Sequence, residues 1–381
     1  MKKICLLFTL LIIIMFLSGC WDYREIEDVS IANVIAIDID EQTKEYILNV
    51  VIVDVENQGT GGSLKPIVIE TKGRTIVDAV RNVISITTKA PYWSHVSIIV
   101  LSQEVAREGI IPILDWVSRS PELNLRVRIF ISMENTAQEI LQREKGFTEI
   151  RTFEYETIKK SFRYLSKLPD IKLNKLINEV EIKELNPVLP VIGLVDLHGE
   201  SAVQYIGSAY FKNDKLSGFL DPIDTIKYLF VTNEVEGGVI VVPLDEGNVT
   251  LDIYRNNTDT NIDFIDDSIK ITINIKPTVN IAEIDSSTDF TSQNGRMILK
   301  EKADNYLKNE IESFIKAIQE NPGIDIFRFG NKLMRNHPRI WNTIEDNWDE
   351  IFKELIIEVN SDIKIKGSQH TSAPIGVEKN D

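Results

Sequence analysis

The chain has 381 residues, with 42 Lys+Arg against 58 Asp+Glu and a formal net charge of −16. That length exceeds what one hydrophobic core serves, so two or three domains are expected. The acid excess argues against a nucleic-acid binder, which needs a basic face for phosphates, and against a protein held to anionic lipid by charge alone.

The N-terminus reads as an export signal. Met1-Lys2-Lys3 is a basic start, Ile4 to Leu17 is almost wholly apolar, and Leu17-Ser18-Gly19-Cys20 follows. The apolar stretch is too short as a helix to cross about 30 Å of hydrocarbon, so residues 1–19 are read as a signal peptide. Leu17, Ser18 and Gly19 before Cys20 resemble the lipobox of bacterial lipoproteins. That resemblance implies cleavage before Cys20 and diacylglycerol on its thiol, two acyl chains being enough for stable anchoring.

From Ser30 the pattern becomes β-rich. Ile31, Val34, Ile35, Ile37 and Ile39 form one run and Tyr46 to Val55 a second, which predicts a hairpin. Asn57 to Ser63 is glycine-rich but lacks the following Gly-Lys-Ser/Thr of a phosphate cradle, and is read as a solvent loop. Pro66 to Glu70 predicts a short strand. Ile76, Ala79, Val80, Val83 and Ile84 then repeat at helical spacing. His95 to Leu101 reads as a buried strand, and Ser102 as the cap of one helix with Val105, Ile110, Ile113, Leu114 and Val117 inward. Leu125 to Ser132 alternates Arg126 and Arg128 with apolar residues, which predicts a strand with one wet face. Charged helix is expected from about residue 136 to Leu185, with Tyr164, Leu165, Leu168, Ile171 and Leu176 as its apolar contacts.

Pro187 and Pro190 preclude continued helix, and a domain junction is placed there. The expected units are 20–190, possibly two subdomains, and 191–368, with 369–381 a disordered tail. In the second unit, Tyr205 to Lys212 and Lys215 to Leu220 flank Asn213-Asp214 as a hairpin. Asp221-Pro222 opens a short helix. Strands are predicted over Gly238–Val242, Asn248–Tyr254 and Ser268–Val279. A long helix follows over Gly295–Glu320, then a shorter one from Asp325 and a closing strand over Leu355–Ile365. The fold class is α+β, with multiple domains of mixed sheets and packed helices. The N-terminal half is α/β-like, and the C-terminal half combines antiparallel strands with a long amphipathic helix.

The inventory for catalysis is thin. Cys5 and Cys20 both lie in the first twenty residues, so the body has no disulfide framework or cysteine zinc site. No two of His95, His198, His337 and His370 sit at a metal-ligand spacing. His95 and His337 are read as structural. Asp263, Asp266 and Asp267 lack calcium-loop spacing, and Trp341 and Trp348 are read as core. No enzyme, metal, cofactor or nucleic-acid partner is expected.

Several stretches together resemble the Ger(x)C lipoproteins, C subunits of spore germinant receptors. These are Gly19-Cys20-Trp21-Asp22-Tyr23-Arg24-Glu25, Ile35-Ala36-Ile37-Asp38, His95 to Ser102 with Ala106-Arg107-Glu108-Gly109, and Asp325-Ile326-Phe327-Arg328-Phe329-Gly330 with Pro338, Trp341 and Trp348. The resemblance implies a non-enzymatic α+β protein on the outer face of the inner spore membrane. It would be anchored at Cys20 and act with a multi-spanning A subunit and a permease-like B subunit. Trp21, Asp22, Arg24 and Glu25 then form the family motif, with Trp21 suited to a membrane interface. The competing expectation is a lipoprotein that delivers a small molecule to a transporter.

Overall fold

The computed structural model describes residues 3–4, 29–53, 66–87, 89–142, 168–182, 185–265 and 268–368. The β-branched run of β1 (Val29–Ile39) pairs antiparallel with β2 (Tyr46–Val53), as expected. Asp40 shapes their connection by accepting the amides of Gln42 and Thr43 at 3.0 and 2.9 Å. β3 (Ile67–Gly73) adds antiparallel to β2. On the other side of β1 lie β4 (Ala90–Tyr92) and β5 (Ile98–Leu101), both parallel to it. β6 (Arg128–Ser132) and β7 (Val188–Leu197) continue the parallel run. β8 (Glu200–Lys212) and β9 (Lys215–Leu220) close it antiparallel, with Asn213 left-handed at the predicted turn. The result is one nine-stranded mixed sheet, ordered β3-β2-β1-β5-β6-β7-β8-β9 with β4 beside β1.

Helices α1 (Ile76–Thr87), α2 (Gln103–Glu108) and α3 (Ile111–Arg119) supply crossovers. Ser102 caps α2 through Val105 N, as its position predicts. The single helix expected from Ser102 is two, because Gly109 takes φ 128° and turns the chain between α2 and α3. Arg128 departs from expectation more sharply. Every residue of β6 is buried, and Arg128 is only 2% exposed, so this strand has no wet face. Asp170 reaches its guanidinium at 2.7 Å and makes that burial tolerable. α4 (Ala137–Gln142) and α5 (Leu173–Glu181) are the described helices of the charged segment. Tyr164 and Leu165 lie outside the described residues, whereas Leu168, Ile171 and Leu176 are buried as predicted.

The large sheet runs across the Asn186–Pro190 stretch without a break. Pro190 sits within β7 opposite Ser208, and the sheet continues to Leu220. Val188 faces the C-terminal core while Leu189 and Val191 face the N-terminal one, so β7 belongs to both. The prolines stop a helix there, but an extended strand accommodates them.

After α6 (Pro222–Val231), capped by Asp221, two smaller sheets form. β10 (Val239–Pro243) and β11 (Asn248–Arg255) begin one. β12 (Thr258–Ile265), which the sequence reading missed, pairs with β13 (Ser268–Ile275) in the other. β14 (Thr278–Asp285) returns to β11. The long strand expected over Ser268–Val279 is therefore two strands in different sheets, with Pro277, which has no amide to donate, at the crossing. The expected closing strand likewise divides into β15 (Ile356–Ser361) and β16 (Lys364–Ser368). These pair parallel to β13 and β14, so the half is mixed rather than purely antiparallel.

Helix α7 (Gln293–Glu320) organises this half. Leu299, Ala303, Leu307, Ile311, Phe314, Ile315 and Ile318 are buried along its length. At about 1.5–3 kcal/mol for each large apolar side chain buried, that stripe outweighs the helix's own propensity. Asp304 on α7 also accepts from Ile363 N and Ser361 Oγ at 2.7 and 2.8 Å, which pins the β15–β16 crossing. The overall class is α+β with mixed sheets, as the sequence implies.

Candidate functional site at the junction of the halves

Cys20, the lipobox residues Leu17, Ser18 and Gly19, and the motif residues Trp21, Asp22, Arg24 and Glu25 all lie outside the described residues. Three other motif segments are described, and each is bound into the fold. Asp38, near the end of β1, is buried and accepts from Ala137 N at 2.6 Å and Gln138 N at 3.0 Å. It thus caps α4 from about a hundred residues away. Burial pushes its carboxyl above the ordinary range, although both amides and Ser102 oppose that shift. His95 ends a short 3₁₀ turn, Trp93–His95, rather than opening a strand, and its ring lies 5.6 Å from Tyr92.

Asp325 is fully buried and holds the C-terminal motif together. Its carboxylate accepts from Phe327 N, Phe329 N and Gly330 N at 3.1, 3.2 and 2.7 Å, and from Trp348 Nε1 at 3.2 Å. The helix it caps, α8 (Phe329–Asn336), begins with Arg328 at the N-cap position, so Asp325 acts from three residues farther back. Burial raises its pKa, and the four donors work the other way. Gly330 allows the indoles to close over this turn, since a Cβ there would meet Trp348 Nε1 at 2.7 Å and Trp341 at 3.0 Å. Trp341 and Trp348 themselves meet edge to face at 5.2 Å, in the core as expected.

Arg328 adopts a left-handed backbone, φ 66° and ψ 28°, an uncommon conformation for a residue with a β-carbon. Its side chain joins three segments. Nη2 lies 2.9 Å from Glu179 of α5, and Nη1 donates to Glu234 after α6 at 3.1 Å. Lys175 of α5 donates to the same Glu234 oxygen at 2.8 Å. Burial raises the Glu179 carboxyl, and the two cations do not fully offset it. Burial also raises Glu234, but Arg328 and Lys175 outweigh that and leave its carboxyl below the ordinary range. Burial works against the Arg328 cation, while Tyr228 and the two carboxylates hold it above its usual value.

Beside this cluster, Asn186 accepts from Asn213 N at 3.0 Å and donates to the Asp325 carbonyl at 3.1 Å. Lys212 of β8 pairs with Asp349. Asn186, Lys212, Asn213, Trp341, Trp348 and Asp349 line a pocket of about 180 Å³. The charged residues of the junction, buried at Asp325 and Glu179 and half-buried at Arg328, Glu234 and Lys175, are bound to one another across segments, an arrangement that fixes one half against the other. Among the described residues no cluster of His, Cys, Asp or Glu could hold a metal ion, and no helix is long and apolar enough to cross a membrane. Sequence reasoning found Asp325, Trp341 and Trp348 but missed the Glu179–Glu234–Arg328 network. Its members are scattered through the chain, and no local spacing marks them.

A mixed nine-stranded sheet joined to two small sheets around one long helix is a fold already seen in a solved structure. The crystal structure of the GerBC protein superposes with a TM-score of 0.60 at 19% identity, covering 90% of this chain and all of that one. Residues 22–194 match the family described as spore germination protein N-terminal domain, and residues 206–369 match the Spore germination B3/GerAC-like C-terminal domain. The chain belongs to this GerAC-like family of C subunits and has a role in spore germination. The putative spore germination protein YfkR of Bacillus subtilis (strain 168) is 24% identical over 92% of both chains. Spore germination protein KC of the same organism is 23% identical over 98% of both, and GerQC of Bacillus cereus is 21% identical over 94% of this chain and 97% of its own.

Proposed function

We propose that this protein is the lipid-anchored, non-enzymatic C subunit of a nutrient germinant receptor in the inner spore membrane. Diacylglycerol on Cys20 holds it at the outer surface, and its partners are a multi-spanning A subunit and a permease-like B subunit. The observation that carries this reading is that both family domains match this chain in succession and that relatives named as spore germination proteins align over 94–98% of it. The Leu17-Ser18-Gly19-Cys20 sequence supports the anchor. The junction supports a holding role, because its charges bind helix amides and one another across segments.

The test is germination of spores that lack this gene, complemented with wild-type or Cys20→Ala protein. Nutrients and a trigger that bypasses nutrient receptors are applied to each strain. Loss of the nutrient response alone, restored by wild type, is the expected outcome. Cys20→Ala protein should fold yet leave the membrane fraction. A normal nutrient response after deletion of this gene and any paralogues would overturn the reading.

A further inference from the structure

A second opening lies in the N-terminal half, built from elements other than those of the junction. It is a groove of about 770 Å³ between the start of α1 and the end of α3. That volume falls in the range of small-molecule sites. Trp93 and Trp116 form part of its wall with Ile76, Pro112 and Pro121. Both indoles are more than nine-tenths buried, so the core below fixes the surface they present.

Three arginines line the same groove: Arg74, Arg81 and Arg119. Arg119 is bonded to Asp115 at 2.8 Å. Arg74 and Arg81 have no carboxylate within ion-pair distance among the described residues. Asp78, three residues before Arg81, accepts from the Arg74 backbone amide at 3.1 Å rather than from either guanidinium. In a chain with a net charge of −16, two exposed arginines with no paired acid beside an indole wall are cations available to a ligand. Guanidinium groups bind planar carboxylates bidentately, and their charge counts for more beside a low-dielectric wall.

We propose that this groove binds a small amphipathic monoanion. Its flat apolar body lies against Trp93 and Trp116, and its carboxylate is taken by Arg74 and Arg81. The proposal goes beyond the receptor-subunit reading and does not depend on it.

The test is calorimetric titration of the purified full-length chain with naphthoate, beside naphthalenemethanol as a neutral analogue. Naphthoate should bind saturably, with the alcohol about tenfold weaker. Naphthoate binding should weaken as salt rises. Arg74→Gln/Arg81→Gln should lose about tenfold in naphthoate affinity with an unchanged thermal transition, since both side chains are at the surface. Absence of saturable naphthoate binding would overturn the proposal. So would equal affinity for acid and alcohol, or equal affinity in the double variant if it folds. The alcohol comparison needs no variant, so the proposal stays testable even if the substitutions disturb folding.

Discussion

Each half of the molecule buries one aspartate to cap a helix, but the two do so at opposite ranges along the chain. Asp325 collects three amides within five residues and the Trp348 indole from farther on. Asp38 collects two amides from a helix that begins at Ala137. The C-terminal cap is thus formed largely by local backbone, whereas the N-terminal cap exists only after β1, β5 and β6 have assembled beside α4. The same contrast runs through the architecture. The N-terminal half is one wide sheet whose strands come from distant parts of the chain, and the C-terminal half wraps two small sheets around the single helix α7.

Breaking the denser cap should cost most. Asp325→Ala strands three buried amides and an indole N–H, and should lower unfolding free energy by about 3–5 kcal/mol in urea titration. A loss below about 1 kcal/mol would show that the turn holds without its carboxylate. Arg328→Ala should follow at about 2–3 kcal/mol, because it leaves Glu179 and Glu234 together with Lys175 as their one remaining cation. It should also weaken coupling between the halves, seen calorimetrically as a broadened or split transition. A single sharp transition would mean that β7 alone couples them.

Asp38→Ala removes a cap of two amides and should cost about 1–2 kcal/mol. Hydrogen exchange should accelerate at Ala137 and Gln138 well before the rest of the sheet. Lys227→Ala cuts the pairs to Asp224 and Glu310 on α6 and α7, and should change stability by no more than about 1 kcal/mol.

The pH dependence separates the two glutamates at the junction. The Glu179 carboxyl lies above its unfolded value, so the folded state holds the proton longer and this group makes stability fall as pH rises above the ordinary carboxylate range. Glu234 lies below its unfolded value, so it contributes stability at neutral pH that is lost as pH falls through its depressed folded value. Glu179→Gln should therefore steepen the rise of stability with pH just above the ordinary carboxylate range, and Glu234→Gln should flatten it at more acid pH. The opposite pair of slopes, measured by urea titration at several pH values, would reverse the assignment.

Strong local signals survived in the structure. The β1–β2 hairpin, the Asn213-Asp214 turn, the Asp221 cap and α7 all stand where their residues predict. The alternation around Arg128 predicts a wet face, because strand alternation reports a face without saying whether that face is later covered. In the structure Asp170 meets it and the whole strand is enclosed. The isoleucine run from Ser268 predicts one strand because both of its parts alternate equally well. Only the positions of β11 and β12 reveal that they belong to different sheets.

The sequence by itself determined where helices and hairpins begin, since caps, turn residues and apolar spacing act over a few neighbouring residues. It also carried the family motifs. Tertiary structure alone decided that Asp38 caps α4, that Arg328 draws Glu179 and Glu234 together, and that β7 serves two cores. These arrangements depend on which surfaces are removed from water together, and burial of a charge requires a partner wherever in the chain that partner lies.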